Sequence, residues 1–285
     1  MSSTSAGSER NLKKLQKEVK KKYNDQLKKS EDLDPVLAWL KEHHDPLKVG
    51  RTQKVLESLQ WSCDALDTVV DSLKRHEESE RIYESALKAH ERSGNDRQAL
   101  VAYEDAKRHK AESKDDVKRA ISNFKIHSNR VDVSIKNEFG DREQATMKGD
   151  KDAKGHDTAL KNFFHRTLII LARPGITSSD VRDLWSCWDS ARMVLEKRLD
   201  ALIAISRKAN QEHDKLKQAD DDGFNQNRAE EPDLNVINQA SSAIDEVRRE
   251  AGKLQKEKEK VIKDSDKELM KVVKESVEKW KRKYP

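Results

Sequence analysis

Proline and glycine are scarce in this 285-residue chain, at five and nine residues, and aromatic side chains make up only 5%. Chain-breaking residues are too few for a loop-rich domain, and large apolar side chains are too few for the thick core of a globular enzyme of this length. Cysteine occurs twice. Cys63 and Cys187 each fall within an apolar face, which suits small buried hydrophobes in a reducing compartment better than a disulfide or a metal site. The longest apolar cluster, Leu168 to Ala172, is far shorter than the roughly 20 residues a membrane-spanning helix needs. No Asn-x-Ser/Thr sequon occurs. These absences lead to the expectation of a soluble, cytoplasmic protein.

The motifs of catalysis are also missing. Nine histidines are scattered through the chain, none in an H-E-x-x-H or other compact ligand spacing. The glycines form no phosphate-cradling loop, and no G-x-S-x-G elbow is present. No enzyme activity, cofactor or metal is therefore expected.

What the chain has in abundance is charge. Residues of both signs make up 39% of it, 58 Lys and Arg against 53 Asp and Glu, for a net charge of only +5. Low hydrophobicity with high charge is also the signature of disorder, but sustained heptad registers argue against that. From Ile237 to Trp280 one stripe runs through 237, 240, 244, 247, 251, 254, 258, 261, 265, 269, 272, 276 and 280, most of them apolar or small. A repeat of about 3.5 residues keeps one helix face against a partner helix. Further helices are expected over about 35–42, 52–92, 97–139, 158–172 and 181–218, with breaks at 43–50, 93–96, 140–157 and 220–233. The stretch His76–Glu80 lacks apolar residues and suggests a solvated stretch or a change of partner. The fold class is all-α: an elongated antiparallel bundle of long helices of coiled-coil type, with a disordered tail at 1–8, basic amphipathic helices at 9–45 and the bundle at 50–285. Trp188, Leu195, Leu202, Ile244, Val247, Leu254, Leu269 and Trp280 are the expected dimer or bundle interface. Trp61 and Trp280 lie off or at the edge of their stripes, which leaves partial exposure or a partner contact open.

Two stretches concentrate positive charge. In the first helix Leu12, Leu15, Val19 and Tyr23 form a narrow apolar stripe, and Lys13, Lys14, Lys17, Lys20, Lys21 and Lys22 surround it. Such a helix can lie in the headgroup layer of an anionic membrane, or it can dock on the bundle with its lysines solvated. From Arg248 to Lys283, fourteen Lys or Arg face eight Asp or Glu. Nucleic acid suits these stretches less well than a membrane, because no aromatic side chains alternate with the cations.

The run Leu184-Trp185-Ser186-Cys187-Trp188-Asp189-Ser190-Ala191, followed by Leu195-Glu196-Lys197-Arg198, then Asn238-Gln239-Ala240, Ile244-Asp245-Glu246-Val247, Val261-Ile262, Lys267-Glu268-Leu269 and Val277-Glu278-Lys279-Trp280-Lys281, resembles the coiled-coil region of sorting nexins of the BAR type. The resemblance covers about a third of the chain. It implies a non-enzymatic homodimer or heterodimer that senses or bends anionic membranes through basic residues, in membrane trafficking, peripherally on endosomal or other intracellular membranes. A coiled-coil scaffold that binds other proteins through its charged helices is the alternative.

Overall fold

The computed structural model describes residues 14, 17, 18, 20–22, 34–45, 50–93, 96–145, 151–229 and 233–285. Its helices include α1 (Pro35–His43), α2 (Gly50–Ser93), α3 (Arg97–Ala145), α4 (Lys151–Leu171), α5 (Ser178–Arg228) and α6 (Leu234–Lys283). No strand occurs among the described residues, so the fold is an all-α bundle. The helices divide into two compact units: residues 50–198 with 265–285, and the described residues of 1–49 with 199–264. Both units draw on α5 and α6.

In the first unit α2 and α3 pack side by side as an antiparallel hairpin, and α4 packs on α3. Its core is centred on aromatic rings. Phe163 and Phe164 of α4 and Phe124 of α3 meet Trp188 of α5 at centroid distances of 5.1, 5.4 and 5.2 Å, and Phe163 meets Trp280 of α6 at 4.9 Å. Burying each of these rings contributes on the order of 2–3 kcal/mol before edge-to-face attraction is added. Trp188 Nε1 donates to Thr167 Oγ1 at 3.2 Å, and that hydroxyl donates to Phe163 O at 2.9 Å, so the indole N–H does not oppose burial. Trp280 has no exposed surface and packs on Phe163.

Beyond Leu73, α2 buries no residue. The sequence-poor stretch at His76–Glu80 is where polar partners replace apolar ones: His76 Nδ1 lies 2.9 Å from Ser113 Oγ, and Lys110 Nζ lies 3.3 Å from Glu80 Oε1. Glu77 accepts from both the backbone N–H (2.7 Å) and the hydroxyl (2.9 Å) of Ser178, so a side chain of α2 satisfies the start of α5. The turn before α5 passes through Gly175 at φ +74°, a left-handed conformation that glycine adopts without a Cβ clash.

In the second unit α1 is capped by Asp34, whose Oδ1 accepts from Val36 N at 2.9 Å, with Pro35 at the first helical position. Leu37 and Leu40 insert into a core of Ile205, Ala209, Leu216, Ile244, Val247, Ala251 and Leu254. Ser206 Oγ donates to His43 O at 2.8 Å and so holds the carboxyl end of α1, while Arg248 pairs with Asp34 at the amino end.

Two expected breaks are shorter in the structure. α3 continues to Ala145 and α4 begins at Lys151, so residues 140–145 and 151–157, expected in a loop, are helical. α5 continues through the acidic run to Arg228, so residues 220–228, expected in a loop, are helical. Gly223 costs an extending helix only about 1 kcal/mol. The seam at Leu216 and Ala219 and the Arg228 guanidinium over the Phe224 ring, at 4.2 Å, support the added turns.

Candidate functional site

The stripe that packs α6 fixes which of its residues face solvent. In the unit containing 199–264, Ile237, Ala240, Ile244, Val247, Ala251 and Leu254 are buried. On the opposite side of the same helix lie Arg249, Lys253, Lys256, Lys260 and Lys263, all exposed. Their alternating steps of four and three residues keep them on one face, as a row on the order of 20 Å long. Lys253 Nζ pairs with Glu250 at 2.6 Å. Among the described residues no carboxylate pairs with Arg249, Lys256, Lys260 or Lys263. A nearby carboxylate is already engaged, since Glu257 lies 3.7 Å from Lys208 of α5. The same steps continue in sequence to Lys267, Lys271 and Lys274, each exposed in the other unit.

The arrangement is a ridge of hydrated point charges rather than a pocket. Lysine ammoniums on long flexible stems suit diffuse attraction to a field of anions, whereas bidentate recognition of individual phosphates is the province of arginine. Summed over a row, such charges give long-range attraction that salt screens.

Of the lysines expected to bind membrane, Lys14, Lys17, Lys20 and Lys21 are helical and exposed. Lys22 is half-buried and donates to Asn238 Oδ1 of α6 at 2.7 Å. Leu12, Lys13, Leu15, Val19 and Tyr23 lie outside the described residues. The residues expected at a dimer or bundle interface are buried inside the chain: Trp188, Leu195, Leu269 and Trp280 in the core around the aromatic rings, Ile244, Val247 and Leu254 in the core around α1, and Leu202 on α5. The lysine row of α6 was visible in composition but not as a surface, because its face is defined only once the buried stripe is known.

Two thiols lie inside the bundle. Burial, reinforced by Asp189, pushes the Cys63 thiol up to about 12, far from a nucleophilic thiolate. Cys187 is a free, half-buried thiol. Among the described residues no group of three or more His, Cys, Asp and Glu is placed to hold a metal ion, and no described helix is long and apolar enough to cross a membrane. No protein-family model, curated protein or solved structure matches this chain.

Proposed function

We propose that this chain is a non-enzymatic helical-bundle protein that associates peripherally with anionic membranes and acts on their curvature, as proteins of the BAR type do. The observation that carries this reading is the row Arg249, Lys253, Lys256, Lys260 and Lys263, exposed along one face of α6 and largely without carboxylate partners. Each lysine held near an anionic leaflet adds about 1 kcal/mol of attraction, so several in a row give useful affinity without any insertion. The exposed helical lysines Lys14, Lys17, Lys20 and Lys21 add to the same attraction. The sorting-nexin resemblance of the sequence supports a place in membrane trafficking.

Co-sedimentation with phosphatidylcholine vesicles, with and without phosphatidylserine, tests the reading across a salt series. Binding is expected only to the phosphatidylserine vesicles and is expected to weaken as salt rises. Replacing Lys256, Lys260 and Lys263 together by Glu is expected to lower partitioning by about a hundredfold or more. A chain that stays in the supernatant with anionic vesicles at low salt sinks the membrane reading. Tubulation seen by electron microscopy, with wild type but not with the triple variant, would extend it to curvature.

A further inference from the structure

One face of the α2–α3 hairpin carries large apolar side chains that are about half exposed. Trp61 of α2 is 45% exposed, and Ile126 and Val133 of α3 are each 55% exposed. Trp61 and Val133 line one groove of about 500 Å³, together with Lys54, Glu57 and Arg130. Ile126 precedes Val133 by one heptad and therefore lies on the same face of α3. Isolated exposed hydrophobes are ordinary on any surface. Here a tryptophan and two β-branched residues share one face at the spacing by which a helix meets another helix.

Charge in this groove has an excess of cations, Lys54 and Arg130 against Glu57. The Arg130 guanidinium lies over the Trp61 ring at 5.7 Å, and the His127 ring is tilted to it by 54° with centroids 6.3 Å apart. Lys54 is exposed, and among the described residues no carboxylate pairs with Lys54 or Arg130. The one carboxylate of the groove, Glu57, already accepts from Gln53 Nε2 at 3.0 Å. Tryptophan and arginine are both enriched among the residues that anchor protein interfaces.

We propose that this face docks an amphipathic helix of a partner protein, with apolar residues at heptad spacing seated on Trp61, Ile126 and Val133 and carboxylates reaching Lys54 and Arg130. The helix-in-groove mode needs only these features: apolar anchors one and two turns apart and complementary charge at the rim. A second copy of this chain is a poorer occupant, because it would bring Lys54 and Arg130 against the same cations. The α6 lysine row takes no part, so this inference stands or falls apart from the membrane reading.

The test uses the full chain and a designed, fluorescein-labelled helical peptide of about three heptads, with leucines at the seam and glutamates flanking it. Its twin carries lysines in place of the glutamates. Fluorescence anisotropy should show the glutamate peptide binding and the lysine twin failing to bind. Trp61→Ala and Val133→Asp should each weaken binding by about tenfold or more, and Lys54→Glu with Arg130→Glu should shift the preference to the lysine twin. All four positions are exposed, and unchanged circular-dichroism melts would show that the variants fold. Absence of binding by the glutamate peptide, or equal binding by Val133→Asp, would overturn the proposal. So would a free chain that sediments as a dimer and is made monomeric by Val133→Asp, since a second copy would then occupy the face.

Discussion

Arg198 Nη1 donates to Asp266 Oδ1 at 2.9 Å, with the arginine side chain only 1% exposed and the aspartate 13%. The pair joins α5 to α6 within the unit that contains the aromatic core. A guanidinium taken so far out of water is tolerated only with its countercharge in place. Asp266→Ala is therefore expected to destabilise by about 3–5 kcal/mol, more than Arg198→Met, because it strands the more deeply buried charge. Arg198→Met combined with Asp266→Leu should recover most of the loss. Urea unfolding of the three variants checks the order, and an Asp266→Ala loss smaller than that of Arg198→Met would contradict it.

Asp34 serves two masters: its carboxylate caps α1 and pairs with Arg248. Burial pushes its pKa up, but the hydrogen bonds from Arg248 and from Val36 outweigh burial and hold it below the usual carboxylate value. A carboxylate depressed in the fold stabilises fully above its unfolded pKa, about 3.9, and loses that contribution as pH falls through the folded value. Asp34→Ala should lower stability by about 1–2 kcal/mol at neutral pH. The difference between wild type and variant should shrink below about pH 4.

His213 stacks on His44 with ring centroids 4.0 Å apart and planes within 7°. Burial, then the neighbouring His44, lowers the His213 pKa from its ordinary value, with Lys41 and Lys217 adding to the effect and Asp214 opposing it. Because the folded pKa is depressed, protonation favours the unfolded chain. Stability should decline as pH drops below about 6.5. His213→Gln should flatten that decline between about pH 6.5 and 5, a window above the one in which Asp34 acts. Parallel stability curves for wild type and variant would show that the stacked pair is not the cause.

Thiol labelling offers a separate check on the core. With Cys63 buried and its pKa raised to about 12, an aromatic disulfide reagent at about pH 8 should leave it intact in the native chain, since thiolate is the reactive form. Half-buried Cys187 should react first, and Cys63 only on adding denaturant. Peptide mapping after native labelling distinguishes the two sites.

The sequence carried the helices because their starts have local chemistry: Asp34-Pro35 and Asp96 act as caps wherever they stand. The ends at 145 and 228 lie beyond the expected ones, because Gly140, Gly155 and Gly223 among charged residues read as breaks while each costs a helix only about 1 kcal/mol. Along α6 the heptad stripe anticipated Ile244, Val247 and Leu269 but not Met270, Val273 and Val277, which are buried as well. A 3.5-residue stripe describes a helix with one neighbour, and near its carboxyl end α6 shares a core with several helices that cover a wider arc. The cations of the candidate surface were countable in sequence, but their alignment on one face required knowing the buried face. Trp61 stood out by missing its stripe, and the structure turns that departure into an exposed ring under Arg130.

The docking of α1 onto residues 199–264 has a consequence for how the chain matures. Leu37 and Leu40 pack with Ile205 and Ala251, so an apolar segment made early in synthesis has no cover until α5 and much of α6 have left the ribosome. At elongation rates of about 5–20 residues per second, that interval is on the order of ten seconds or more. Contacts this distant in sequence also form slowly once the chain is complete. Until those residues emerge, the apolar face of α1 has none of the partners it meets in the folded unit.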